Sequence, residues 1–195
     1  MSNALNSLNE VVPFQTKFYW ASLGDQSHLI PVIRKLRDTD VSEVVISNRG
    51  GWQSPPYNRG QLAELDPLYD MVYEYVCKAY AEFGINKQPK DGGYWININK
   101  KYDYNISHNH PTAFFAAVVY LKSPSNSGSF VMERPDPLDD FMRVDQRNPN
   151  NFCTWSVPTD ENKLIIFPAW IRHYVEQNLT EDEDDERISI AFNFG

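Results

Sequence analysis

Tyr94-Trp95-Ile96-Asn97-Ile98-Asn99 sets the texture of the second half of the chain. In an extended strand Ile96 and Ile98 point one way and Trp95, Asn97 and Asn99 the other, because successive side chains alternate between faces. A face that carries amides needs partners, from water at a sheet edge or from a polar ligand inside a barrel. Strand signals then recur to the C-terminus, at 106–110, 113–121, 129–133, 152–157, 164–167, 171–175 and 188–194. Ahead of residue 92 the pattern is helical. Leu29, Ile30, Val32, Ile33 and Leu36 form a helical stripe behind the capping residues Asp25-Gln26-Ser27. A longer helix is expected over about 61–83, with Pro67 separating a short lead-in and Gly84 as the stop. Residues 11–20 read as an early strand at a sheet edge, and 44–54 as a loop whose Gly50-Gly51 turn either pins Trp52 into a core or faces a substrate. About eight short strands with helices before them predict a mainly β (α+β) barrel or jelly roll.

Composition narrows the function classes. At 195 residues the chain is expected to be a single domain over 1–195, with helical support at about 25–85 and a β core at about 92–195. A formal net charge of −8 excludes a general nucleic-acid or anionic-membrane binder, which carries a basic footprint. Two cysteines, Cys77 and Cys153, make no disulfide framework. No apolar run approaches a membrane span, and no secretory signal is read at the N-terminus, so a reducing cytoplasm is expected. The acidic run 181–186 reads as a solvated turn, and the Pro-, Asp- and Asn-rich stretch 134–151 as a long loop of the kind used for lids.

The chemistry-bearing residues are few and spaced. Of four histidines, His28 reads as a solvated helix residue, and His108 and His110 stand one residue apart, on one face if the strand is regular. That pair fits either a first-row metal cradle completed by His173 or ordinary hydrogen-bonded histidines. In the last strand Arg187, Ser189, Ala191 and Asn193 share a face opposite Ile188, Ile190 and Phe192. An arginine with a serine two residues on suits a carboxylate, although a surface arginine paired with the acidic run suits the same residues. His173 lies fourteen residues before Arg187, a spacing that predicts neighbouring strands.

Taken in order, these residues resemble the 2-oxoglutarate, Fe(II)-dependent oxygenases. More closely, the chain is similar to a branch of that superfamily from bacterial and viral genomes. The resemblance rests on Ser47-Asn48-Arg49-Gly50-Gly51-Trp52-Gln53-Ser54, Trp95, Asn97, Asn105, His108-Asn109-His110-Pro111, Tyr120, the 164–170 strand with His173, and Glu186 through Asn193. It covers about residues 10–195. It implies a double-stranded β-helix (a cupin-like jelly roll) that hydroxylates an unknown substrate and releases succinate and CO2. It further implies Fe(II) on His108, His110 and His173, and 2-oxoglutarate held by Arg187 with Ser189, with Asn97 and Tyr120 touching the co-substrate. The usual carboxylate ligand is replaced here by His110. Three neutral imidazoles leave bound iron more Lewis-acidic and suit zinc as well; Asp103, five residues upstream of His108, is an alternative carboxylate. Trp95, Trp170 and Phe192 read as core.

Three other readings fit parts of the pattern, one of them the same fold and iron without turnover. A cupin-like enzyme using the three histidines without a keto acid has no need of Arg187. A non-catalytic β-sandwich interaction module makes the histidines incidental. The expected partner is a small molecule or protein side chain as substrate, with neither nucleic acid nor membrane involved and a homodimer left open.

Overall fold

Short strands and two helices precede a run of β structure, as the change of periodicity near residue 92 requires. The elements are β1 (Tyr19–Ser22), a 3-10 turn (Ser27–Leu29) running into α1 (Ile30–Thr39), β2 (Asn48–Arg49), β3 (Trp52–Gln53) and α2 (Asp66–Glu82). There follow β4 (Asp91–Asn99), β5 (Tyr104–His108), β6 (Phe115–Lys122), β7 (Ser129–Glu133), β8 (Thr154–Pro158), β9 (Lys163–Pro168), β10 (His173–Val175) and β11 (Arg187–Phe194). The structure, a computed structural model, describes residues 12, 14–39, 42, 44–136 and 145–195. Val11 and Pro13 of the expected early strand and 137–144 of the expected loop lie outside the described residues.

The strands form two antiparallel sheets. One has the order β1-β9-β6-β11-β4-β3, the other β2-β5-β10-β7-β8. This is the layering of a double-stranded β-helix, with the helices on the outer face of the six-stranded sheet. Pro67 opens α2, where its missing N–H costs nothing. The face of α2 bearing Tyr69, Val72 and Val76 packs with Ile96, Ile98, Ile188, Ile190 and Phe192 in one apolar cluster. A smaller cluster, including Val118, Phe130, Met132, Ile165 and Phe167, joins the inner faces of the two sheets.

Three expectations need correction. The stretch 44–54, read as a loop, contributes a strand to each sheet. Gly50 and Gly51 have φ of +65° and +69°, and a Cβ on Gly50 would clash with the Asp103 carboxylate. The turn sets β3 against β4 with Gln53 opposite Asn97. The acidic run is not merely solvated: buried Glu186 accepts from Arg34 Nε (3.0 Å) and Arg37 Nη1 (2.5 Å), clamping α1 to the start of β11. Trp170, read as core, is 52% exposed, whereas Phe192 is buried as expected.

Candidate metal and co-substrate site

Register, more than sequence proximity, assembles the histidines. β5 and β10 pair so that His108 and His173 stand directly opposite, with ring centroids 4.4 Å apart. His110 is not on the strand at all. β5 ends at His108, and His110 lies in the following turn, anchored by its own N–H to Ala169 O (2.9 Å). The same-face argument for His108 and His110 therefore reached the right neighbours through the wrong geometry. The His110 ring stacks between Trp95 (5.5 Å) and His173 (5.1 Å, interplanar 6°). Trp95, expected in the core, is a wall of the site.

The rings are oriented by their outer nitrogens. His108 Nδ1 lies 2.7 Å from Ile106 O and His173 Nδ1 3.0 Å from Ile171 O. A carbonyl only accepts, so each Nδ1 carries the hydrogen and each Nε2 keeps its lone pair. His110 has no such carbonyl; the Asn193 carboxamide lies beside its ring, and Asn193 Oδ1 is buried with no hydrogen-bond partner. One nitrogen from each ring lies within 4.8 Å of the others, and His110 Nε2 is 3.2 Å from His173 Nε2. Two imidazole nitrogens bound to one metal ion at about 2.0–2.1 Å sit roughly 3.0–3.4 Å apart. The donor set therefore fits a metal ion. Among the described residues these three form the one such group of histidine, cysteine or carboxylate side chains. Asp103, the alternative ligand, is held elsewhere by Lys100 N (2.7 Å).

Burial keeps all three rings neutral. It lowers the pKa of His108, brings His110 down to about 4 and pushes His173 well below the ordinary value, the neighbouring histidines adding to the last two shifts. Neutral imidazoles are metal donors without first losing a proton.

Beside the histidines the inner face of the six-stranded sheet carries a polar row. Gln53, Asn97, Ser189 and Tyr120 are successive cross-strand partners on β3, β4, β11 and β6. Gln53 Oε1, Asn97 Oδ1 and Tyr120 OH are buried with no hydrogen-bond partner. Arg187 starts β11 and is 1% exposed. It is neither on the surface nor paired with the acidic run. Nor is its strand a neighbour of His173's, since β10 and β11 belong to opposite sheets. Its Nη1 donates across the gap between them to Ser127 O and to Glu176 O (2.9 Å), and Nη2 is buried without a partner. Burial lowers its pKa, while Tyr120, Asp103 and Glu176 oppose that shift. Among the described residues no carboxylate pairs with this cation. An arginine stays charged in proteins, so an anion is the natural complement of the free Nη2.

Two cavities meet at the histidines. An inner one of about 40 Å³ is lined by Asn97, Tyr120, Ser189 and all three histidines. An outer one of about 290 Å³ shares Ser47, Trp95, His108 and His110 with it and adds Gln53 and Asn193. Arg187 lines neither; it stands beyond Tyr120, whose hydroxyl feels its charge. Trp95 and Asn193 were not singled out for roles in the sequence, although alternation places Trp95 with Asn97 and Asn193 with Ser189; Gln53 was covered only by the substrate-facing alternative for 44–54.

A family model described as "Putative 2OG-Fe(II) oxygenase" matches residues 93–193. No curated protein matches the chain by sequence. Among solved structures, the chain is similar to a prolyl-4-hydroxylase from Pseudomonas putida, at 13% identity and a TM-score of 0.64 over 92% of each chain. It also resembles the viral collagen prolyl hydroxylase of Paramecium Bursaria Chlorella virus-1, solved with 2OG, at 12% identity and a TM-score of 0.57 over 91% of this chain and 94% of that one. A third is HygX from Streptomyces hygroscopicus, solved with nickel and 2-oxoglutarate, at 14% identity and a TM-score of 0.57 over 92% and 83%.

Proposed function

The chain belongs to the 2-oxoglutarate- and Fe(II)-dependent oxygenase family, and on that premise we propose that His108, His110 and His173 hold its iron and that Arg187 with Ser189 holds the co-substrate. The observation that carries this reading is the convergence of three neutral ring nitrogens, with a buried arginine beyond Tyr120 whose Nη2 has no partner. When bound, iron and 2-oxoglutarate would turn dioxygen into the hydroxylating oxidant, one oxygen atom going to the substrate and the other to succinate, with CO2 released.

The chain's own residues perform the binding work. Ile106 O and Ile171 O fix two ring tautomers, and stacking on Trp95 steadies the third ring. Arg187 Nη2 and Ser189 receive the C5 carboxylate, and the free Tyr120 hydroxyl donates to the same molecule. Asn97, next to Ser189 in the row, lies toward the keto-acid end. A cavity of about 40 Å³ holds a water or so, so the co-substrate widens it on entry. The outer cavity opens on His108 and His110 from the other side and receives the molecule that is oxidised, a small molecule or a protein side chain. The helices at 25–85 and the β core act as one oxygenase-like unit. A reducing cytoplasm suits Cys77 and Cys153, which are not joined to each other; among the described residues no helix is long and apolar enough to cross a membrane.

The test is the weak visible charge-transfer band of an Fe(II)–keto acid chelate. Fe(II) and 2-oxoglutarate are added anaerobically to metal-free protein, with Arg187→Ala in parallel. The band should require both additions and need far more 2-oxoglutarate in the variant. Iron binding without a band in either protein would assign the three histidines to other chemistry.

A further inference from the structure

Gln53 is 4% exposed, lines the outer cavity, and has its side-chain oxygen buried with no hydrogen-bond partner. Such an atom costs stability until a donor reaches it. 2-Oxoglutarate is no such donor, since its ionised carboxylates and carbonyl only accept. Val44, Ile46, Pro56 and Pro111 give the cavity around Gln53 apolar walls beside the uncharged amides of Asn109 and Asn193, and no residue with a formal charge lines it. Ile46 is 69% exposed there, an apolar surface that an occupant would cover. A charged occupant would lose its hydration in this cavity and gain no counter-ion, a cost that a neutral one avoids.

We propose that the substrate oxidised at this site is an uncharged amide, a peptide unit or carboxamide, whose N–H donates to Gln53 Oε1. This rests on the reading of the site given above. A carboxamide side chain offers an acceptor and a donor side by side, the complement of another amide. Gln53 also stands directly across from Asn97, so the amide is read from β3 while the neighbouring strands hold the co-substrate. The Trp95 ring, which lines both cavities, gives the occupant a flat wall against His110. The volume of about 290 Å³ matches one residue-sized group in place of a large ligand.

The probes are the N-acetyl amino-acid N-methylamides of the twenty common side chains, with the corresponding free amino acids as charged counterparts. Each is titrated anaerobically into the protein with and without Fe(II) and 2-oxoglutarate, following tryptophan fluorescence. At least one methylamide should bind saturably, and its free amino acid should bind at least tenfold more weakly. Gln53→Met, close to it in shape, should weaken that methylamide about tenfold while the 2-oxoglutarate affinity stays within twofold; a merely structural role would move both. The proposal is overturned if no methylamide binds, if charged and neutral forms bind alike, or if Gln53→Met binds the methylamide as tightly as the parent. Selectivity on the parent chain decides the matter should the variant fail to fold. A protein that ignores 2-oxoglutarate would end the oxygenase reading instead, and the titrations without it would still report on the amide.

Discussion

The two faces of β4 and β11 are built from alternate residues of the same two segments, and they do opposite things. Ile96, Ile98, Ile188, Ile190 and Phe192 on the outer face are each at most 1% exposed and pack with α2. Asn97, Ser189 and Arg187 on the inner face are nearly as buried, at 6%, 6% and 1%, yet Asn97 Oδ1 and Arg187 Nη2 have no partner. Burying one large apolar side chain stabilises by about 1.5–3 kcal/mol; leaving one buried polar atom unpaired costs about 1–3 kcal/mol. The outer face thus offsets an inner face that is unfavourable until ligands complete it. Stability and function are separated by a single residue step along the strand.

Adjacent residues break this comparison most sharply. Ile190→Ala should destabilise the metal-free protein by about 2–5 kcal/mol through the cavity it leaves, whereas Ser189→Ala, one residue earlier, should change it by less than about 1 kcal/mol. Denaturant midpoints measured on both variants decide it, and equal losses would remove the distinction between faces. For the inner face, Arg187→Ala should weaken 2-oxoglutarate by about 2–5 kcal/mol, because the co-substrate's carboxylate is left buried without its partner. Calorimetric titration of the iron-loaded variant checks this against the parent chain.

Acid probes the inner face by another route. The His110 imidazole resists protonation in the folded chain down to about pH 4, while an unfolded one takes its proton near 6.5. The unfolded state therefore binds more protons between those values. Stability of the metal-free protein is complete above about pH 6.5 and falls as the pH drops toward 4, by about 3 kcal/mol from His110 alone. Urea midpoints across that range should show the loss, and His110→Gln should flatten part of it. The smallest effect belongs to neither face: Trp170→Ala should shift stability by less than about 0.5 kcal/mol, since the ring is 52% exposed.

Much of the architecture was legible because alternation is a local signal. Ile96 and Ile98 against Asn97, and Ile188 and Ile190 against Ser189, assigned both faces correctly from sequence. What stayed hidden depends on pairing between distant segments. Nothing local says that β10 and β11 lie in opposite sheets, so the spacing from His173 to Arg187 suggested neighbours where the structure has an arginine reaching across a gap. Nothing local ends β5 at His108, because the turn that carries His110 is held by Ala169, fifty-nine residues away. Trp95 and Trp170 look alike in sequence; only the sheet packing sends one to the site and the other to solvent.

The central claim is that three imidazoles, already neutral, share one metal ion. It is met most directly by titrating Fe(II) anaerobically into metal-free protein at pH 6.0, where ordinary imidazoles are mostly protonated, in weakly buffered solution, counting both iron bound and protons released. The account predicts one iron per chain and essentially no proton release, because burial has already stripped the rings, with binding lost in His173→Ala. Iron that binds equally well to that variant, or that displaces about one proton per ion, would contradict it.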